Sequence, residues 1–247
     1  MSGSERVCAV IVAGGVGSRF GNPGGKQLID LCGRPLLYWS VAAFARSSHV
    51  GHIVLVLPEE HAERMRAAAI DPFDFGVPIT YARAGAERQD STRAGIEAVP
   101  GGFDVVAIHD SARPLVRPAT IDAVIEALLA DSSLAGAVCA QPSVDTLKLV
   151  NTDCVIEGTP DRSRYWCVQT PQVFRLRTVR DAHERARARG YLGTDDASLV
   201  EAAGGRVACV ESPRDNMKVT LPEDLCPMAA IMRERLELAE GKGDDVL

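Results

Sequence analysis

Short apolar runs alternate with longer helix-like segments along most of this chain, and this alternation constrains its fold more than any other feature. Most of these runs are hydrophobic at nearly every position, as strands buried on both faces should be. The sequence predicts strands over residues 7–12, 52–57, 105–109, 135–140 and 207–211. Helical spacing of the apolar residues predicts helices over residues 35–46, 59–69, 90–98, 118–130, 176–189, 195–203 and 222–240. The fold class predicted by this order is α/β, with a mostly parallel sheet and helices on both of its faces.

Composition and charge argue against several classes of protein. Of the 247 residues, 46% are hydrophobic, which is enough for the core of one large domain. The net charge of −6 disfavours a general nucleic-acid binder. The sequence contains no apolar run of the ~18 residues that a membrane span needs, and its polar start is unlike a signal peptide. We therefore expect a cytoplasmic protein with no nucleic-acid and no membrane partner.

The cysteines support the same expectation. The seven of them are scattered, and no two stand in a Cys-x-x-Cys pair. An odd number of scattered cysteines in a chain of this length does not suggest a disulfide framework. We expect free thiols in a reducing compartment, several of them buried as small hydrophobic side chains.

A glycine-rich loop, AGGVGSRFGNPGGKQL, follows the first predicted strand over residues 13–28. In a parallel sheet this position, at the carboxyl end of a strand, is where ligands bind. A Walker A loop would need Ser or Thr after Lys26, but Gln27 stands there. A dinucleotide-binding loop would need a third glycine where Phe20 stands. Neither of these two phosphate-binding motifs fits.

A third kind of loop, GGxGxR followed by a lysine seven residues later, does fit. Glycines allow backbone N–H groups to approach a triphosphate without Cβ clashes. Arg19 and Lys26 would then neutralise the charge that develops as pyrophosphate departs. The alternative is that Arg19 and Lys26 are ordinary solvated charges. The position of the loop favours nucleotidyl transfer.

Several further motifs accompany this loop in a fixed order. They are GAERQDSTRAGI (85–96), IHDSARP (108–114), DTLK (145–148), TPQVF (170–174), TDDAS (194–198) and NMKVTLPEDL (216–225). Together they resemble the 2-C-methyl-D-erythritol 4-phosphate cytidylyltransferase family of the non-mevalonate isoprenoid pathway, over about residues 7–225. The ribitol-5-phosphate cytidylyltransferases share much of the pattern, so the chemistry is better specified than the acceptor.

The resemblance implies a Rossmann-like fold of the nucleotidyltransferase type and an enzyme that joins CTP to a polyol phosphate with release of pyrophosphate. The acceptor phosphate has a second pKa near ~6 and is already a nucleophile at pH 7, so no general base is required. Catalysis would consist of positioning and charge stabilisation. The resemblance also implies a homodimer. Asp110 follows the predicted strand 105–109 at its carboxyl end, where a carboxylate can hold Mg²⁺ or another divalent cation against the triphosphate. Asp215 is a weaker candidate for a second metal ligand.

The resemblance assigns roles to particular residues. For catalysis it indicates Arg19, Lys26, Arg162 and Lys218. For nucleotide binding it indicates Ala13, Gly14, Gly15, Val16, Gly17, Ser18, Gly85, Arg88, Ser91, Asp110 and Ser111. For the acceptor it indicates Thr146, Arg162, Thr194 and Lys218.

Structural roles stay open for several of these residues. Asp110 can be a turn residue or a helix N-cap, and Ser91 and Thr194 can be N-caps. A hydroxyl at a helix N-terminus can also bind an anion, so the two roles of Thr194 are compatible. His109 is expected to pack or to form a local hydrogen bond without taking part in catalysis.

Other functions are compatible with parts of the sequence. A ribitol-phosphate or other sugar-phosphate nucleotidyltransferase would use the same donor loop. A non-catalytic nucleotide-binding protein would be expected to lack Arg19, Lys26 or Lys218, and all three are present. An oxidoreductase that uses a nicotinamide cofactor is disfavoured by the incomplete glycine fingerprint.

The alternation of strands and helices breaks over residues 142–174. Two runs around the polar turn NTD predict a two-stranded hairpin, which is marginal alone in water. Its aliphatic residues must be covered either by a partner subunit or by the core of the same chain. We expect one nucleotidyltransferase domain over residues 1–240, a protruding dimerisation arm over 142–169, and a flexible tail over 241–247. Only about twenty residues follow Leu225, so we expect no second enzymatic domain in this chain.

Overall fold

The computed structural model describes residues 6–15 and 25–240. Among these residues the strands are β1 (Val7–Val12), β2 (Asp30–Leu31), β3 (Arg34–Pro35), β4 (Val50–Leu57), β5 (Ile79–Arg83), β6 (Val105–Asp110), β7 (Gly136–Pro142), β8 (Leu149–Val150), β9 (Ile156–Gly158), β10 (Trp166–Arg175) and β11 (Val207–Glu211). The α-helices are α1 (Leu36–Ala45), α2 (Ala62–Ala69), α3 (Arg88–Glu97), α4 (Pro118–Ala130), α5 (Leu176–Ala188), α6 (Asp196–Ala202) and α7 (Leu225–Glu240). All five predicted strands and all seven predicted helices are therefore confirmed, with boundaries shifted by a few residues.

The main sheet is mixed and mostly parallel. Its strand order is β11-β7-β10-β6-β1-β4-β5. The neighbours β7/β11, β6/β1, β1/β4 and β4/β5 are parallel, whereas β10 is antiparallel to both β6 and β7. The predicted α/β class is confirmed, and one antiparallel strand lies inside the sheet.

Side chains of β1 alternate between two apolar layers. Ile11 belongs to a core that includes Phe44 of α1 and Val124 of α4. Val10 faces a second core that includes Ile96 of α3 and Val179 of α5. Because each layer is covered by helices, nearly every position of the central strands is buried, which explains their continuous apolar sequence.

The sequence did not predict β5 or β10. Strand β5 is an edge strand with partly exposed side chains, so it lacks a continuous apolar run. Strand β10 contains Pro171, which cannot donate to a ladder and usually argues against a central strand. The register of β10 against β7 shifts between Val168 and Gln172, and this irregularity accommodates the proline.

The predicted hairpin is present outside the main sheet. Leu149 pairs with Gly158 and Val150 with Ile156, in antiparallel register. Leu149 is 60% exposed and Ile156 is 58% exposed, so the core of the same chain does not cover them. Among the helices of the described ranges, none has the length and apolar character needed to cross a membrane.

Candidate active site

The candidate site is a cavity of about 200 Å³ at the carboxyl ends of the adjacent strands β1 and β6. In the register of these strands, Val12 lies opposite Asp110. The residues that line the cavity are Val12, Gly14, Gly15, Lys26, Gln27, Gly85, Ala86, Glu87, Arg88, Ser91, Asp110, Ser111, Ala112 and Lys218. The fold thus brings together residues from five separate segments of the chain. Nine of these fourteen residues were assigned to the site from the sequence.

Asp110 is at the centre of the charges in this cavity. Arg88 Nε donates to its Oδ1 at 2.9 Å, and Lys218 Nζ donates to its Oδ2 at 2.7 Å. Burial opposes ionisation, but the charges of Arg88 and Lys218 outweigh it and hold the pKa of Asp110 well below its usual range. The carboxylate is therefore ionised at neutral pH and oriented by two cations.

The backbone of Asp110 is also held in place. Its N–H donates to Thr170 Oγ at 3.1 Å, and the Thr170 hydroxyl lies 3.0 Å from His109 Nδ1. His109 Nε2 lies 3.3 Å from the carbonyl oxygen of Arg113, so Nε2 is the donor and Nδ1 accepts from Thr170. Burial lowers the pKa of His109 to about 3. His109 is consequently neutral and structural, as its sequence context predicts.

Arg88 links the cavity to a buried pair that the sequence analysis did not identify. Its NH1 donates to Asp196 Oδ2 at 2.9 Å, while Asp196 Oδ1 lies 3.0 Å from His183 Nε2. Asp196 belongs to the TDDAS motif, from which only Thr194 was assigned. The second aspartate of that motif was the available signal. His183 had no signal, because a histidine on the buried face of a helix resembles any core histidine.

The glycines of the site allow close packing of its backbone. A Cβ added at Gly14 would lie 2.7 Å from Ala84 Cβ, and one at Gly85 would lie 2.3 Å from Asp90 Cβ. Both distances are too short for real Cβ contacts. Gly85 N–H donates to Ser91 Oγ at 3.0 Å. Since α3 begins at Arg88, Ser91 is inside the helix, and the alternative that it is an N-cap is wrong.

Lys26 and Lys218 approach the cavity from different segments. Lys26 lies in a 3₁₀ turn (Lys26–Leu28), and its Nζ donates to the carbonyl oxygen of Val219 at 3.1 Å. Val219 directly follows Lys218 in the chain, so one short segment holds both cations near Asp110. Gln27 is 3% exposed and donates to the carbonyl oxygens of Ala13 and Gly15, which fixes the start of the glycine loop.

The remaining predicted residues lie elsewhere. Ala13 is buried beside the cavity, and its N–H donates to the carbonyl oxygen of Val56 at 2.9 Å. Thr194 borders a smaller neighbouring cavity of about 100 Å³, which Arg88 also lines. The N-cap of α6 is Asp195, so the N-cap alternative for Thr194 is wrong. Four predicted residues lie outside the described ranges: Val16, Gly17, Ser18 and Arg19.

The two residues between β7 and β10 that were predicted to contact the acceptor do not line the cavity. Thr146 is exposed, and the exposed Arg162 donates to the carbonyl oxygen of Val144 at 2.6 Å. Both lie between β7 and β10, beside the hairpin. Within the described part of one chain, the cavity is thus built without them.

The carboxylates of the site suit a metal that arrives with a ligand. The described residues contain no group of three or more His, Cys, Asp and Glu side chains that could hold an ion. Mg²⁺ is commonly held by one or two carboxylates together with substrate phosphates, and Asp110 meets that requirement. Asp215 does not, because it lines a different cavity, which none of the described glycine-loop residues borders.

A family model, curated relatives and a solved structure that match this chain all carry the same family description. A family model for 2-C-methyl-D-erythritol 4-phosphate cytidylyltransferase matches residues 7–234. The protein of that description from Syntrophotalea carbinolica is 44% identical over 220 residues, which are 89% of this chain and 93% of that protein. Its counterpart from Caldanaerobacter subterraneus is 38% identical and covers 92% of this chain and 99% of its own length. The crystal structure of the Thermus thermophilus cytidylyltransferase is 31% identical with a TM-score of 0.73, over 92% of this chain and 99% of that one.

Proposed function

Because the chain belongs to the 2-C-methyl-D-erythritol 4-phosphate cytidylyltransferase family, it transfers a cytidylyl group from CTP to that acceptor, and we propose how its residues divide the task. The products are 4-diphosphocytidyl-2-C-methyl-D-erythritol and pyrophosphate. The observation that carries the proposal is the ionised Asp110 held between Arg88 and Lys218, beside glycines at the carboxyl ends of β1 and β6.

The acceptor phosphate is the nucleophile. It is largely dianionic at pH 7, and one of its oxygens attacks the α-phosphorus of CTP as the bond to the pyrophosphate oxygen breaks. A general base is not needed. In agreement with this, no histidine is among the described residues that line the cavity, and the nearby His109 is neutral and hydrogen-bonded on both nitrogens.

The donor triphosphate lies along the glycine loop. We assign the backbone N–H groups of Gly14 and Gly15 to its phosphates, and Val16, Gly17 and Ser18, which lie outside the described residues, are assigned with them on the sequence motif alone. Arg19 and Lys26 neutralise the charge that grows on the departing pyrophosphate. Gly85 has no room for a Cβ and its N–H donates to Ser91, which supports a tight cradle for the nucleoside, and Ser111 lines the same cavity.

Asp110 holds a divalent cation, Mg²⁺ by preference, that arrives with CTP. When bound, the ion neutralises phosphate charge and orients the α-phosphate. Arg88 orients the Asp110 carboxylate, and Lys218 lies between this carboxylate and the incoming acceptor phosphate.

The acceptor site is completed by a second subunit. Thr194 and Lys218 belong to the home subunit, whereas Thr146 and Arg162 come from the arm (142–169) of the partner in a homodimer. Four strongly exposed aliphatic residues on the hairpin support the dimer: Leu149, Val150, Val155 and Ile156. Side chains of this kind are expected to be covered, and a two-fold pair of arms covers both copies at once.

Two further assignments complete the proposal. Residues 1–240 act as one nucleotidyltransferase domain, with the tail 241–247 outside the described residues. The enzyme works in the cytoplasm. This location is supported by its seven cysteines, all of which the structure describes as free thiols.

Acceptor choice is tested by product formation. The purified protein is incubated with CTP and Mg²⁺ and with either 2-C-methyl-D-erythritol 4-phosphate or ribitol 5-phosphate, and CDP-polyol is measured by mass spectrometry. We expect a much higher kcat/KM with the methylerythritol phosphate. A preference for ribitol 5-phosphate would contradict the acceptor assignment and leave the cytidylyl transfer intact.

Shared sites are tested by mixing subunits. Arg162→Ala and Lys26→Ala homodimers should each be nearly inactive. In a heterodimer one site carries both lesions and the other carries neither, so an equilibrated equal mixture regains about a quarter of wild-type activity. If each site is built within one chain, the mixture regains nothing. A monomer by light scattering at micromolar concentration would also contradict the dimer.

A further inference from the structure

Two buried residues outside the donor cavity are joined to its charged centre. His183 lies on α5, and Asp196 is the first residue of α6; the side chain of each is 1% exposed. His183 Nε2 lies 3.0 Å from Asp196 Oδ1. Neither residue lines the donor cavity or is used in the reaction proposed above, although Asp196 borders the smaller cavity beside Thr194.

A buried carboxylate is costly unless both of its oxygens are hydrogen-bonded. In Asp196, Oδ1 takes the bond from His183, and Oδ2 accepts from Arg88 NH1 at 2.9 Å. An ionised carboxylate only accepts, so His183 Nε2 carries the hydrogen. His183 Nδ1 is buried and has no partner in the described structure, so Asp196 is the one polar contact of this ring there. Among polar groups of the described structure, only Asp196 therefore orients the His183 imidazole.

Arg88 transmits this constraint to the cavity. Its guanidinium is planar and rigid, with NH1 on Asp196 and Nε on Asp110 at 2.9 Å. Because the two bonds leave different edges of one plane, fixing the NH1 edge fixes the direction of Nε. Arg88 has 32% of its side chain exposed, so Asp196 supplies an anchor that a solvent-facing arginine would lack.

The contacts form one hydrogen-bonded chain that runs from His183 through Asp196, Arg88 and Asp110 to Lys218. We propose that His183 and Asp196 are positioning residues for the transfer, which set the orientation of Arg88 and, through it, of the Asp110 carboxylate. This inference rests on the roles proposed for Asp110 and Lys218. It assigns no direct contact with substrate to either buried residue.

The hydrogen-bonded chain from His183 to Lys218 is tested first in the ligand-free protein, where catalysis plays no part. In a ¹⁵N-labelled sample, the Arg88 Nε–H should give a slowly exchanging NMR signal, identified by its loss in Arg88→Lys. The signal should weaken or disappear in His183→Leu and persist in His183→Gln, whose amide nitrogen can reach the place of Nε2. A signal unchanged in His183→Leu would overturn the inference.

Steady-state kinetics then test whether these hydrogen bonds contribute to the rate of cytidylyl transfer. We expect His183→Leu to lower kcat by about 10-fold or more with a small change in KM for CTP, and His183→Gln to recover most of the loss. The matched control is Val179→Ala, which shortens a fully buried apolar side chain one turn earlier on the same helix and removes no hydrogen bond. It should lower Tm at least as much as His183→Leu and retain kcat.

Three outcomes overturn the inference: wild-type kcat in His183→Leu, an equal loss of kcat in Val179→Ala, or no recovery in His183→Gln. Should His183→Leu fail to fold, Asp196→Asn decides, because it keeps the volume and places an amide group against Arg88; wild-type kcat in that variant overturns the inference. Failure of the proposed site is recognised separately, by Lys26→Ala retaining kcat while the NMR result stands.

Discussion

Lys218 Nζ donates a 2.7 Å hydrogen bond to Asp110 Oδ2, although the two residues are 108 positions apart in the chain. The other oxygen of the same carboxylate accepts from Arg88. Both oxygens of the proposed metal ligand are thus bonded to cations in the ligand-free structure. A metal ion that binds Asp110 must share its carboxylate with Lys218 or displace the lysine. The metal ion and Lys218 are therefore expected to compete for Asp110, and this competition can be measured.

Activity should depend on a divalent cation. We expect turnover of CTP to stop with excess EDTA and to return when Mg²⁺ is added back, because the single carboxylate of Asp110 suits an ion that bridges to substrate phosphates. A coupled pyrophosphate assay follows the rate. Full turnover in metal-free buffer would contradict the metal assignment.

Lys218→Met should lower the Mg²⁺ concentration that the enzyme needs. Removing the ammonium group leaves Asp110 Oδ2 without its cation, so the Mg²⁺ concentration for half-maximal rate should fall several-fold, while kcat falls because the acceptor phosphate loses a positive charge. Arg214→Met, which removes an exposed charge four residues earlier, is the control and should change neither value. An unchanged or raised Mg²⁺ requirement in Lys218→Met would show that the two cations do not compete.

Lys26→Ala should lower kcat by about 10² or more without unfolding the protein, because the lost charge acts mainly in the transition state. The sequence motif predicts the same for Arg19→Ala. Arg64→Ala on α2 removes an exposed cation that does not line the cavity and should retain wild-type kinetics. A Lys26→Ala enzyme with normal kcat and a raised KM for CTP would mean that Lys26 binds the donor in the ground state only.

Gly85→Ala should damage both nucleotide binding and stability. The new Cβ would lie 2.3 Å from Asp90 Cβ, so the turn that precedes α3 must shift and the bond from Gly85 N–H to Ser91 must lengthen. We expect a lower Tm and a KM for CTP raised about 10-fold or more. Gly101→Ala is the matched control, because its Cβ meets no atom within 4 Å. Equal Tm and KM values in the two variants would refute the packing argument.

His109 should make the protein less stable in mild acid. Its pKa is about 3 in the folded state and 6.5 in the reference state. Between these values the unfolded chain binds a proton that the folded protein does not, so stability falls as the pH falls. From pH 7 to pH 5 this amounts to about 2 kcal/mol. Urea unfolding of His109→Phe at the two pH values should show a loss smaller by about that amount, and an identical pH dependence would contradict a neutral buried imidazole.

Much of the fold was predictable because the apolar pattern of each short segment shows how its side chains are buried. Strands such as β1 and β6 are apolar at nearly every position, since helices cover both faces of the sheet. The spacing of the glycine loop and Lys26, and their place after β1, predict a phosphate site, and Gly14, Gly15 and Lys26 do line one cavity. The hairpin of β8 and β9 was predictable from two short runs and a polar turn.

What the sequence by itself determined was therefore the type of element at most positions and the chemical character of the loop after β1. Tertiary structure alone decided which elements meet. The antiparallel insertion of β10 beside β6 brings Thr170 to the backbone of Asp110, and the packing of α5 against α6 joins His183 to Asp196. The physical reason is that the local sequence pattern shows whether a side chain is buried, whereas its partner depends on how strand order and helix packing bring separate segments of the chain together. The charged centre of the site, Arg88 and Lys218 on one carboxylate, exists only once that order is formed.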